Sequence, residues 1–269
     1  MFFHILKEVE KMNNAYVKLK EQHQRELSEF PWFVAFDQKQ FEDGMLKLGL
    51  DPGDKDSVML VPPGIIIRKE DENDYYMMLH RWKEEHLESI ENDESGFGYV
   101  YDMFSYELNN HEFSYTADPS DAIEASGFSE NMINFVPKLH NPFEVAKLVT
   151  SGKINSEELM GCPILLYESS PKDVKYYLTH ESEGNYYVSK YERESENSFI
   201  NAGEVRCSNI KEVRNCIQGM VSEDNRLKKE AVSGIAPSKD NTLDLGNNSS
   251  VTAIIPDRDQ GYDFGADLS

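Results

Sequence analysis

The stretch VKYYLTHESEGNYYVSKYERE (174–194) decides the fold of the second half of this chain. Tyrosines and β-branched residues crowd both arms, and the tetrad Glu181-Ser182-Glu183-Gly184 between them supplies a hairpin turn. PILLYES (163–169) precedes it and FINAGEVRCS (199–208) follows, so three or four strands are expected in an antiparallel meander. Aromatic rings on successive strands could stack nucleic-acid bases, but the interleaved glutamates oppose that use. Cross-strand aromatic pairing accounts for them better. Helical segments flank the meander. NPFEVAKLVTSGKI (141–154) reads as a short helix with Pro142 in its first turn, and 209–230 as a longer one carrying Ile210, Val213, Ile217 and Met220.

Working outward toward the N-terminus, residues 3–29 read as one amphipathic helix, with Phe3, Leu6, Val9 and Met12 on its apolar side and Pro31 ending it. WFVAF (32–36) suits a strand, and Asp37 is a plausible N-cap for a helix through Phe41, Met45 and Leu48. SVMLV (57–61) and GIIIRK (64–69) around Pro62-Pro63 predict a hairpin or a bent strand pair. Residues 74–91 predict a helix with Tyr76, Leu79, Trp82 or Lys83, His86 or Leu87, and Ile90 inside. VYDMFSYELNNHEF (100–113) and DPSDAIEASGF (118–128) predict two more. The fold class is α+β. The expected layout is an N-terminal helix at 1–30, a domain at 31–135, a second α+β domain at 137–232 and a flexible or extended tail at 233–269, where Gly, Asn, Ser and Asp dominate.

Composition narrows the function. With 49 acidic and 27 basic residues, the net charge of -22 disfavours direct binding to nucleic acid or to an anionic membrane. No window reaches the roughly 18 apolar residues of a membrane span, and MFFHILKEVEKM (1–12) has no signal-peptide core, so a cytoplasmic protein is expected. Cys162, Cys207 and Cys216 lack metal spacing, and no cofactor is implied.

Residues 32–135 resemble an uncharacterised domain family of gut bacteria, their phages and mobile elements. The resemblance rests on AFDQKQFEDGMLKLGLDPGDKD (35–56), GIIIRKED (64–71) and GYVYDMFSYELNNHEFSYTADPSDAIEASGFSEN (98–131). They match an Ala-Phe-x-x-x-Gln-Phe-x-x-Gly start, a strand ending in Arg-Lys, and a Tyr-Glu-Leu-x-Asn-His-Glu-Tyr core. The chain departs from the family at Pro62-Pro63 and at His80 and Trp82. The resemblance implies a small acidic protein with no established activity, and so assigns no catalytic residue.

Two segments are candidate sites. In YELNNHEF (106–113), Glu107 and His111 are four apart, on one helix face, with Glu112 adjacent. A carboxylate beside an imidazole suits a general base or half a metal site, and equally a structural helix pair. Residues 69–94 hold ten acidic and three basic residues, with Glu84, Glu88 and Glu91 on one helix face. Such a face is either solvated or docks on a basic protein surface. Three functional classes follow: a non-enzymatic accessory protein of a phage or mobile element that acts by protein–protein contact, with inhibition of a host nucleic-acid enzyme or defence system as its concrete form; a small hydrolase using Glu107, His111 and Glu112; and a virion-associated structural protein.

Overall fold

The structure is a computed structural model and describes residues 14–182 and 184–233. The expected helix over 3–13 and the tail from 234 lie outside the described residues. Helix α1 (Ala15–Glu29) starts at Asn14, whose side chain accepts from the Val17 amide. Strand β1 (Trp32–Phe33) is followed by α2 (Gln38–Lys47), which Asp37 caps as expected by accepting from the Gln40 amide. Strands β2 (Val58–Val61) and β3 (Ile65–Arg68) form the expected hairpin, and β1 pairs with β3 to give the order β1-β3-β2. Only two residues of WFVAF join this sheet, pairing as Trp32–Ile67 and Phe33–Ile66.

Helix α3 (Glu72–Asn92) buries Tyr75 and Trp82. Tyr76, expected inside, is 45 % exposed. Tyr75 and Trp82 are seven residues apart, two helical turns, and share one face that a Tyr76-based stripe misses by about 100°. Next come α4 (Tyr99–Asn110), α5 (Phe113–Thr116), α6 (Ser120–Ala125), α7 (Glu130–Phe135) and α8 (Pro137–Thr150). Helix α8 begins earlier than expected. Pro137 occupies its first turn, where a missing N–H costs nothing, and Pro142 lies inside it.

The meander follows as β4 (Ile164–Glu168), β5 (Val174–Ser182), β6 (Asn185–Ser195) and β7 (Ser198–Cys207), all antiparallel in the order β4-β5-β6-β7. Val174, Tyr176, Leu178 and His180 alternate onto its buried face. Helix α9 (Ile210–Ser233) covers that face with Val213, Ile217 and Val221, spaced four apart and each no more than 1 % exposed. The architecture is α+β with a strand meander, as the sequence implies.

The expected boundary at residue 136 does not separate two cores. One apolar cluster runs from Tyr16 through Phe104 and Phe143 to Leu178 and Ile217. Helix α8 is the reason, since it buries residues toward both sides. Phe143 sets its ring 5.0 Å from that of Phe104 on α4, and Asn141 Nδ2 donates to the Leu166 carbonyl of β4 at 3.2 Å. Arg214 of α9 also crosses the line. It donates to Asp102 Oδ1 at 2.6 Å and to the Phe97 carbonyl at 3.0 Å, with its guanidinium 4.3 Å from the Tyr101 ring. The smaller separate clusters lie at the three-stranded sheet, around Ile67 and Tyr75 and around Phe33 and Met45.

Candidate functional site

The YELNNHEF segment spans the end of α4 and the start of α5, and the structure divides its three candidates. Glu107 is fully buried. Its Oε1 accepts from the Tyr16 hydroxyl at 2.5 Å and from Lys20 Nζ at 3.0 Å, both on α1. Its Oε2 has no hydrogen-bond partner, and His111 Nε2 stands 3.5 Å away with the imidazole 30 % exposed. Glu112 is exposed and adopts the left-handed conformation (φ 53°) that turns the chain out of α4. Glu107 and His111 therefore meet, and Glu112 does not join them.

Helix α1 closes over this carboxylate. The Tyr16 ring makes edge contacts with Tyr99 and Tyr106, and Lys20 lies 4.9 Å from the Tyr106 ring centre. Burial, then the Glu107 charge, pushes the Tyr16 phenol far above its ordinary range, so it remains a donor. Asp102, one and a half turns earlier, accepts from the Ala15 amide at 2.9 Å. Further along α1, His23 Nε2 is 2.8 Å from Glu85 Oε2, and its ring stacks on Trp82 at 4.7 Å. Glu26 accepts from Trp82 Nε1 and from Arg81, which chiefly holds its pKa down to about 2. A carboxylate so enclosed fastens one helix to another and presents no face to a substrate. Tyr16 and Lys20, 91 and 87 residues away, were not foreseen. No local pattern signals a partner at that separation.

Beside this cluster, His86 Nδ1 lies 2.8 Å from the Tyr99 hydroxyl, and burial lowers its pKa to about 4. The break between α3 and α4 is built on Asp93. Its Oδ1 accepts from the Gly96 amide and its Oδ2 from the Gly98 and Val100 amides, each at 3.0 Å. The Gly96 and Gly98 amides at this break are thus occupied by an internal anion, and the Phe97 amide between them donates to the Ser95 hydroxyl at 3.0 Å.

Glu84, Glu88 and Glu91 are all exposed on the outer face of α3. Glu84 stands 3.5 Å from His80, one turn back, and Lys138 reaches the Glu91 backbone carbonyl rather than its carboxylate. Tyr76, Met77 and Leu87 are exposed on the same helix. By contrast Glu85, which faces inward, binds His23 and Arg81. A shallow pocket of about 300 Å³ lies elsewhere, between Phe36, Phe41, Lys55 and Ile66 beside the three-stranded sheet. Among the described residues, no group of three or more His, Cys, Asp or Glu side chains is arranged to hold a metal ion, and no helix is long and apolar enough to cross a membrane.

No curated protein and no solved structure matches the chain. Residues 15–148, from the start of α1 to the last turn of α8, match the model of a family of unknown function (DUF7659).

Proposed function

We propose that the protein is a non-enzymatic interaction module and that the outer face of α3 docks on a basic surface of a partner protein. The observation that carries this reading is the division of carboxylates along α3. Glu85 is bound by His23 and Arg81, while Glu84, Glu88 and Glu91, on the face turned away from buried Tyr75 and Trp82, are exposed, and among the described residues their carboxylates make no hydrogen bond to another element. Their positions rise about 6 Å and about 4.5 Å along the helix axis, a spacing that suits a row of basic groups. A groove that normally holds a nucleic-acid backbone is the most concrete target, and a host nucleic-acid enzyme or defence protein encountered by a phage or mobile element is the finer form of the proposal. The hydrolase reading has weaker support, because Glu107 is enclosed and Glu112 is exposed and makes no hydrogen bond with it.

The test is affinity capture from host lysate with the full chain and with the triple variant Glu84→Lys, Glu88→Lys, Glu91→Lys. Partners retained at about 0.05 M salt should be lost from the variant, and lost from the wild type as salt rises, since exposed charge attraction is screened. Exposed charges contribute little to folding, so the variant should unfold as the wild type does. Partners bound equally by both chains would refute the reading.

A further inference from the structure

Strand β7 is an open edge of the four-stranded sheet, unlike the other strand edges. At the opposite edge, β4 is five residues long and has its Leu166 carbonyl taken by Asn141 of α8. In the three-stranded sheet, β1 has two residues, and β2 has four before Pro62-Pro63 ends it. Short, covered or proline-ended edges resist pairing with another chain. β7 runs ten residues without proline or lysine, pairs only with β6 among the described residues, and is exposed from Ile200 through Arg206. Ile200 is 48 % and Val205 40 % exposed.

Two features limit this edge: Asn201 Oδ1 takes the Gly203 amide at 2.9 Å, and a bulge follows. The register jumps between Lys190–Gly203 and Tyr191–Asn201, leaving Ala202 as a bulge. Beyond it, Gly203–Cys207 runs regularly opposite Tyr186–Lys190. Centred on Val205, this regular stretch is self-complementary. A two-fold antiparallel pairing sets Val205 against Val205, Gly203 against Cys207, and Glu204 against Arg206 twice. Glu204 and Arg206 lie across from Ser189 and Tyr187, on the face away from α9, so each opposed pair shares one face. Among the described residues, Glu204 binds the Ser189 hydroxyl through Oε2 and nothing else, and Arg206 binds Asn185.

We infer that β7 is a homodimerisation edge: two copies of this chain pair antiparallel about Val205, joining their meanders into one eight-stranded sheet. The occupant is a second copy because the strand is its own charge complement in this register, Glu204 meeting Arg206 twice. The net charge of -22 on each copy opposes association, so the dimer is weak and concentration-dependent.

The experiment is sedimentation velocity on the full chain over a concentration series at about 0.15 M salt, where the screening length is roughly 8 Å. Distant like charges are then damped and directly opposed pairs are not. The wild type should show reversible dimer formation. Arg206→Glu places glutamates opposite each other twice and should weaken association about tenfold or more. The double swap Glu204→Arg with Arg206→Glu should restore it, and this rescue separates edge pairing from a general loss of structure. A wild type that stays monomeric throughout would overturn the inference, as would a dimer indifferent to Arg206→Glu or a double swap that fails to recover while remaining folded. Hydrogen exchange on a chain lacking 234–269 adds a further arm. Loss of β7 protection in monomer on that deletion would make the protein's own tail the occupant, and would likewise overturn it.

Discussion

Replacing Glu107 with alanine should destabilise the protein by about 2–4 kcal/mol. The carboxylate is fully buried, and it takes the Tyr16 hydroxyl and the Lys20 ammonium on one oxygen. Alanine leaves the buried phenol unpaired, at a cost of about 1–3 kcal/mol, and the lost side-chain volume adds about 1 kcal/mol or more. Lys20 is 29 % exposed and can turn to water, so its loss adds little. The sum overlaps the roughly 3–5 kcal/mol seen when one partner of a buried pair is removed. Glu107→Gln keeps an acceptor for Tyr16 and should cost about half as much, while Tyr16→Phe should cost about 1.5–3 kcal/mol. Urea unfolding measures these values, and a double-mutant cycle of Tyr16→Phe with Glu107→Gln should give a coupling of about 1–2 kcal/mol. Hydrogen exchange should show α1 (15–29) losing protection first in Glu107→Ala. A Glu107→Ala chain within about 0.5 kcal/mol of wild type, with α1 protection unchanged, would refute the claim that this carboxylate fastens α1 to α4.

His86 should make stability depend on pH between about 6.5 and 4. Its folded pKa lies below the unfolded one, so the unfolded chain takes up the proton first, and stability present above 6.5 is lost as pH falls, by at most about 3 kcal/mol; a pH series of unfolding curves should be flatter in this window for His86→Gln. Gly44 and Gly219 should respond oppositely to alanine. A Cβ at Gly44 would fall 2.1 Å from the Phe33 ring, costing about 1–3 kcal/mol, whereas Gly219 meets open space within α9 and Gly219→Ala should stabilise by up to about 1 kcal/mol in the same unfolding assay. Glu112→Gly should raise the unfolding free energy slightly, by about 0.5–1 kcal/mol, because the side chain is exposed and the backbone is left-handed there.

An antiparallel meander of three or four strands in sequence order was legible because alternating aromatic and β-branched runs, split by a Gly-containing turn, have few other solutions; the structure makes it four. Asp37 as a cap was legible for the same local reason. The interior face of α3 was misread because tyrosines stand at both 75 and 76, and either begins an apolar stripe; the sheet that covers Tyr75 settles the choice. The boundary expected at 136 falls where α8 starts, and one apolar cluster runs across it. A proline there starts a helix as readily as it ends one, and only tertiary contacts show that α8 serves both halves. In the candidate site, the Glu107–His111 pairing is a consequence of helical spacing and could be read directly. Its enclosure by Tyr16 and Lys20 could not, because burial of a polar group is decided by an element some ninety residues away.

The distribution of negative charge connects these points. Asp93, Asp102, Glu107 and Asp224 are each held by donors that the fold brings to them. Asp93 takes three amides, Asp102 takes Arg214 and the Ala15 amide, Glu107 takes Tyr16 and Lys20, and Asp224 takes Tyr176 at 2.6 Å and Lys190 at 2.7 Å. These carboxylates have a folding role, and their removal should be felt in stability. Glu84, Glu88 and Glu91 have no comparable ties, and together with the rest of a net charge of -22 they raise the self-repulsion of the compact state. These exposed charges, gathered on one face of a 21-residue helix beside exposed Met77 and Leu87, are the ones whose reversal should leave the unfolding free energy within about 0.5 kcal/mol of wild type, in contrast to the buried carboxylates.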